Sequence, residues 1–139
     1  NEFEYYGCGP YESYVDMCHN STIGSYKSNA DSEYVPYVKP QEHGNHNKAK
    51  LLRFDKLAFK TNDEFEFNVS RFTSNDLCQA NHPKELMKSD SVNLRIDYKV
   101  SGIGSGSCGP ELLDKYRIKG GTHVNFGFYI DLLSSDNNS

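Results

Sequence analysis

The side chains that could do chemistry in this sequence are its acids and its five histidines. His43 and His46 stand three apart beside Glu42, a spacing that would suit a metal if the backbone held them rigidly. Gly44, Asn45 and Asn47 surround them, so nothing fixes a coordination geometry and the segment reads as a solvated loop. His82 precedes Pro83 at the end of a helical stretch, where an imidazole interacts favourably with the last carbonyls; its role is structural. Acid–base hydrolysis of an acetal needs two carboxylates about 5 to 9 Å apart, and nucleophilic catalysis needs Ser or Cys with a positioned base. Glu12 with Asp16, Glu42, and Glu111 with Asp114 are available, but spacing pairs none of them. No catalytic residue is expected within the chain, and no metal site.

The most unusual local feature is the run Gly102-Ile103-Gly104-Ser105-Gly106-Ser107-Cys108-Gly109-Pro110. A phosphate cradle would need a following helix, plus Lys and Ser or Thr at set spacing. Pro110 and a strand-like Tyr116 to Lys119 follow instead, so the run reads as a tight loop between strands that presents Ser107 and Cys108 to a neighbouring surface. Cys8, Cys18, Cys78 and Cys108 form an even set. The chain is too long and too rich in aromatics to need bridges, and it lacks the C-x-x-C spacing of structural zinc, so reduced thiols in a cytoplasmic protein are expected.

These residues must be carried by strands. Phe65, Phe67 and Val69 alternate with polar neighbours, as do Leu94, Ile96 and Tyr98, and Val124, Phe126, Phe128 and Ile130. Period two with one apolar face predicts half-buried antiparallel strands. Weaker candidates are Glu2 to Tyr5, Lys50 to Phe54 and Tyr116 to Lys119. A single helix is predicted after Thr73 as its cap, with Asp76 in the first turn and Leu77, Cys78 and Ala80 on its apolar side; Pro83 ends it or starts a second turn. The polar stretches His19 to Ser32 and Glu42 to Asn47 read as surface loops. The expected architecture is an all-β antiparallel sandwich over residues 1–133 with one short helix, and a frayed, disordered tail over residues 134–139.

At 139 residues the chain suits one hydrophobic core and buries roughly two thirds of its unfolded surface. The net charge of −4 with dispersed Lys and Arg offers no footprint for nucleic acid or an anionic membrane. No stretch approaches the ~20 apolar residues of a membrane span, and Asn1 to Tyr6 do not resemble a signal peptide. Entry without Met, directly into the alternation of Phe3 and Tyr5, is expected of a piece of a longer protein.

Five segments in order carry a resemblance: Gly7-Cys8-Gly9-Pro10-Tyr11-Glu12-Ser13-Tyr14-Val15-Asp16; Tyr37-Val38-Lys39-Pro40-Gln41-Glu42-His43-Gly44-Asn45; Phe67 to Thr73 followed by Leu77 and His82; Ile96-Asp97-Tyr98 leading to Gly102-Ile103-Gly104 and Ser107-Cys108-Gly109-Pro110; and the aromatic Val124 to Ile130. In this order they resemble the C-terminal domain of bacterial β-galactosidases of glycoside hydrolase family 2. The resemblance implies a parent enzyme that hydrolyses terminal β-galactosides by a retaining mechanism, with its glutamates in a (β/α)8 barrel outside this chain. This segment would be part of a galactose-mutarotase-like supersandwich beside the barrel mouth, inactive alone. No cofactor is implied for the chain; any Mg or Na belongs to the parent.

The resemblance also implies that the loop with Ser107 and Cys108 reaches the substrate. In better-known members it offers a Trp that stacks on the sugar's aglycone side. This sequence has no Trp, and Cys108 takes about that place, where a thiol cannot supply the broad face that packs on a pyranose. The expected partners are the barrel and other domains, the galactoside in the full-length protein, and a second copy of the chain. A free-standing carbohydrate-binding module, using some of the ten Tyr and eight Phe, is the alternative, as is a purely structural β-sandwich.

Overall fold

The computed structural model describes residues 1–103 and 111–134. Among the described residues six strands, β1 (Glu2–Gly9), β2 (Thr22–Asn29), β3 (Asn45–Phe54), β4 (Leu57–Ser70), β5 (Asn93–Asp97) and β6 (Tyr129–Leu132), form one antiparallel sheet, and α1 (Ser74–Gln79) is the one α-helix. The order is β2-β1-β3-β4-β5, with β6 also on β4. The long β4 makes this possible: Leu57 to Lys60 pair with β6, and Glu66 to Ser70 pair with β5. The fold is all-β and antiparallel with one short helix, as the alternation predicts.

Period two places Phe65, Phe67 and Val69 on one face of β4, where they join Phe3, Tyr5, Ala49, Leu52 and Phe59 in the core. Aromatic rings do much of the filling. Phe67 meets Phe3 edge-on at 6.0 Å and Tyr5 at 5.0 Å between centroids, geometries that suit the ring quadrupoles. A two-residue turn at Asp55 and Lys56 joins β3 to β4, with Asp55 left-handed at φ 53°, a conformation Asp tolerates better than most residues. The helix starts as predicted: the Thr73 hydroxyl accepts from the Asp76 amide while the Asp76 carboxylate accepts from the Thr73 amide, a reciprocal capping box.

Several expectations need correction. His19 to Ser32 is not one loop, because Thr22 to Asn29 is a full edge strand, paired from Gly9↔Thr22 to Glu2↔Asn29. Its sequence is polar because none of its residues is fully buried, so it carries no hydropathy signal; Tyr26 packs on Tyr5 at 5.4 Å. Glu42 to Asn47 is not solvated either: residues 43–47 are buried and β3 begins at Asn45. Val124 to Phe128 is not strand; ladder pairing starts only at Tyr129↔Lys60, and Phe126 and Phe128 pack as rings against Tyr98 and Phe59. Tyr116 to Lys119 is not strand, because a 3-10 turn spans Asp114–Tyr116 and Arg117 folds back onto the Leu112 carbonyl at 2.8 Å. The tail residues 135–139 lie outside the described residues.

Candidate functional site

The second face of the sheet is polar and also covered. Asn45, Asn68 and Arg95 lie in one cross-strand row, and Glu66 with Asp97 in the next. Over this face lie Glu12 to Asp16 and Glu42 to Gly44, the two segments singled out by their motifs. The chain turns sharply at Gly44, with φ 73° and the Glu33 carbonyl 3.0 Å from where a Cβ would sit, so only glycine fits comfortably. That turn delivers the Gly44 amide to Glu12 at 2.8 Å, and the Tyr37 hydroxyl donates to the other oxygen of Glu12 at 2.6 Å.

Glu42 is the anionic centre of the site. Both of its oxygens accept from the Arg95 guanidinium, at 2.6 and 3.0 Å, and the Tyr14 hydroxyl donates to it at 3.3 Å. Arg95 is shared with Asp97 at 2.6 Å. This forked geometry is the strong form of an ion pair. The bond to Glu42 raises the Arg95 pKa against the opposing effect of burial, so the cation is permanent. Burial, with Glu42 and Glu12 adding to it, likewise pushes the Tyr14 hydroxyl up and keeps it neutral.

Beneath them Asn45 donates to the Ser13 carbonyl at 3.0 Å and to Glu66 at 2.7 Å; Asn68 donates to the His43 carbonyl; and Ser13 donates to Asn47 at 2.9 Å. Burial pushes the Glu66 carboxyl up to about 7, against the lowering effects of the Asn45 bond and the Val100 amide, while nearby Asp97 raises it further. A carboxyl poised near neutrality is often catalytic. Glu66 is only 7% exposed, however, with an oxygen bound to Asn45, so it supports the face instead of meeting a substrate.

Of the residues the sequence proposes, Glu12 and Glu42 lie on this face, bonded to the Gly44 amide and the Arg95 guanidinium. The Asp16 carboxylate accepts from the Ile103 amide at 3.2 Å. Glu111 and Asp114 do not join them; they flank Arg117 in exposed ion pairs at 2.8 and 4.0 Å. His43 is buried against Tyr34 and bonds the Gln41 carbonyl. His46 lies on the opposite, apolar face, fully buried between Glu33 at 2.7 Å and the Cys8 carbonyl at 3.0 Å. His82 caps no helix carbonyl: it stands at the start of the 3-10 turn Pro83–Glu85, and its side chain makes no cap bond. Cys8, Cys18 and Cys78 are free thiols. Ser107 and Cys108 lie outside the described residues. Among the described residues no three His, Cys, Asp or Glu side chains converge on a point that could hold a metal.

Glu66, Arg95, Asn45 and Asn68 are the members of the site that motif reading missed. Asn68 and Asn45 sit inside quoted motifs, but nothing there marks them as buried. Arg95 alternates with Leu94 and Ile96 and reads as an exposed strand position.

Comparison with known proteins adds an independent line. The family described as β-galactosidase small chain matches residues 1–130. A β-galactosidase of Actinobacillus pleuropneumoniae is 45% identical over 118 residues, 85% of this chain and 12% of that protein. One from Kluyveromyces lactis is 37% identical over 136 residues, covering 94% of this chain and 13% of its own length. One from Staphylococcus xylosus is 32% identical over 136 residues, with 95% and 14% covered. The chain thus spans only a small fraction of each relative.

Proposed function

Since the chain belongs to the β-galactosidase small chain family, we propose that it is the C-terminal β domain of an enzyme that hydrolyses terminal non-reducing β-D-galactose residues in β-galactosides. One observation carries the proposal for this chain's own residues. Four of the ordered motifs, distant in sequence, meet on the polar face: Glu12 with Gly44, Asn68 with His43, Glu42 with Arg95 beside Asp97, and Asp16 with Ile103. The motifs thus jointly build one polar surface, which supports the reading of this face as the side turned to the parent enzyme.

The proposed role is architectural. The glutamates that attack and protonate the glycosidic bond lie in a barrel elsewhere in the parent, about 250 residues in a typical case, and this chain walls the active site beside it. Ser107 and Cys108 are the proposed substrate-facing residues, with Cys108 giving a smaller and less adhesive wall than an aromatic ring would. The chain takes no cofactor in this proposal. Any Mg or Na is assigned in this proposal to the parent. The proposed compartment is the cytoplasm, in keeping with the free thiols; no described helix is long and apolar enough to cross a membrane. Tyr129, Ile130 and Leu132 of β6 are exposed, which supports a packed neighbour there, either the parent's other domains or a second copy.

The purified chain tests this directly. It is expected to turn over no nitrophenyl β-galactoside and to give no saturable heat with galactose or lactose. Turnover by the chain alone would overturn the division of labour, and micromolar sugar binding would favour an independent carbohydrate-binding module.

A further inference from the structure

We propose that Glu66 and Asp97 form a proton-operated latch between β4 and β5: with one proton on the pair the edge strand β5 lies closed, and release of that proton to solvent lets β5 and the segments above it open. The latch is a property of the polar face and is independent of the substrate wall.

Glu66 and Asp97 are directly opposed in the antiparallel ladder, which sets both side chains on one face with Cβ atoms about 5 Å apart. Two carboxylates that close, one of them buried, are costly to ionise together. Their partners decide which of them takes the proton. Asp97 is held as an anion by the Arg95 Nε–H at 2.6 Å. Glu66 has only neutral donors bonded to it, the Asn45 side-chain amide at 2.7 Å and the Val100 main chain. Burial, with Asp97 adding to it, accordingly raises the Glu66 carboxyl to about 7, while Lys99 works in the opposite sense. On β4 itself Asn68 is neutral and Glu64 is exposed. The titratable groups of the covering segments bond elsewhere. Glu12 accepts from Tyr37 and Gly44, Tyr14 donates to Glu42, which also binds Arg95, His43 bonds the Gln41 carbonyl, and Asp16 accepts from the Ile103 amide.

β5 is the strand such a pair can move. It is five residues long, half-buried throughout, and among the described residues it pairs with β4 alone, over Glu66 to Ser70. Edges of this kind open before a core does. Two holds on the cover depend on it. Arg95 of β5 grips Glu42, and Asn45, oriented by Glu66, donates to the Ser13 carbonyl at 3.0 Å while its own carbonyl accepts from the Ser13 amide at 2.6 Å. Closed, Glu66 keeps its proton up to about 7; opened to water, it gives the proton up near 4.5. Opening therefore becomes easier as pH rises between those values and no easier above them.

The test follows amide exchange by mass spectrometry in the assembled enzyme across pH. Protection at β5 and at the Ser13 and Gly44 amides, corrected for the intrinsic pH dependence of exchange, should fall roughly fiftyfold from pH 5 to pH 7.5, the linkage of one carboxyl moving from about 7 to 4.5. At pH 7.5 the ladder amides of Phe3 to Tyr6 should stay about tenfold or more better protected than β5. Glu66→Gln, neutral at every pH, should abolish the fall. A flat β5 profile in the natural protein would overturn the latch, as would a fall that survives in Glu66→Gln. Equal protection of β5 and of Phe3 to Tyr6 at pH 7.5 would show that the proton acts on unfolding as a whole, and that result would overturn it too.

Discussion

The two faces of β4 over Phe65 to Ser70 are both buried but are built by opposite means. On one, Phe65, Phe67 and Val69 exclude water with rings and methyls. On the other, Glu66, Asn68 and Ser70 are buried as well, and every polar group there must find a partner or cost free energy. The apolar face tolerates any filling of the right volume, whereas the polar face is specified atom by atom. Segments recruited by such a face are held in one arrangement, which is what a substrate wall needs and what a hydrophobic core alone does not guarantee.

The comparison is broken hardest from the apolar side. Phe67→Ala empties the centre of the aromatic cluster, where the residue is fully buried, and should cost about 3 to 5 kcal/mol by chemical denaturation. A loss under 1 kcal/mol would mean that the cluster does not carry the fold. On the polar side, Arg95→Ala strands Glu42 and Asp97 in a half-buried setting and should cost about 2 kcal/mol. Arg95→Lys should recover only part of it, because a point charge cannot reproduce the fork.

Glu66 sharpens the contrast through pH. Its carboxyl is raised from 4.5 to about 7 by burial, so between those values the unfolded chain releases a proton that the folded chain keeps. Stability should therefore fall as pH rises from about 4.5 to about 7 and level off above, by about 3 kcal/mol in all. Glu66→Gln, neutral throughout, should remove that slope when denaturation is compared at pH 5 and pH 8. The smallest effect is expected at the helix, which belongs to neither face. Thr73→Ala removes the capping box and should cost about 1 kcal/mol, read as a small drop in melting temperature.

The same contrast explains what the sequence could reveal. The apolar face was legible from alternation alone, as were β5 and the cap of α1, because period two and a Thr-x-x-Asp cap are local signals. The polar face was not. Asn45, His46 and Asn47 look like a solvated loop, and their burial depends on partners such as Ser13 and Glu33, 32 and 13 positions away. β2 was lost because an edge strand with one exposed face need not be apolar. Val124 to Phe128 misled in the other direction: alternating aromatics give a strand signal, but no ladder partner reaches them, and their rings pack instead. The motifs did mark Glu12, Asp16 and Glu42; only the fold shows what each holds, the Gly44 amide, the Ile103 amide and the Arg95 guanidinium.

The central claim, that the chain supplies a wall and not the reacting groups, is tested most directly by complementation. The parent enzyme lacking the segment equivalent to residues 1–130 would be assayed with nitrophenyl β-galactoside before and after this chain is added in trans. The account predicts negligible turnover from either piece and recovery on mixing. Undiminished turnover by the truncated parent, or turnover by this chain alone, would contradict it.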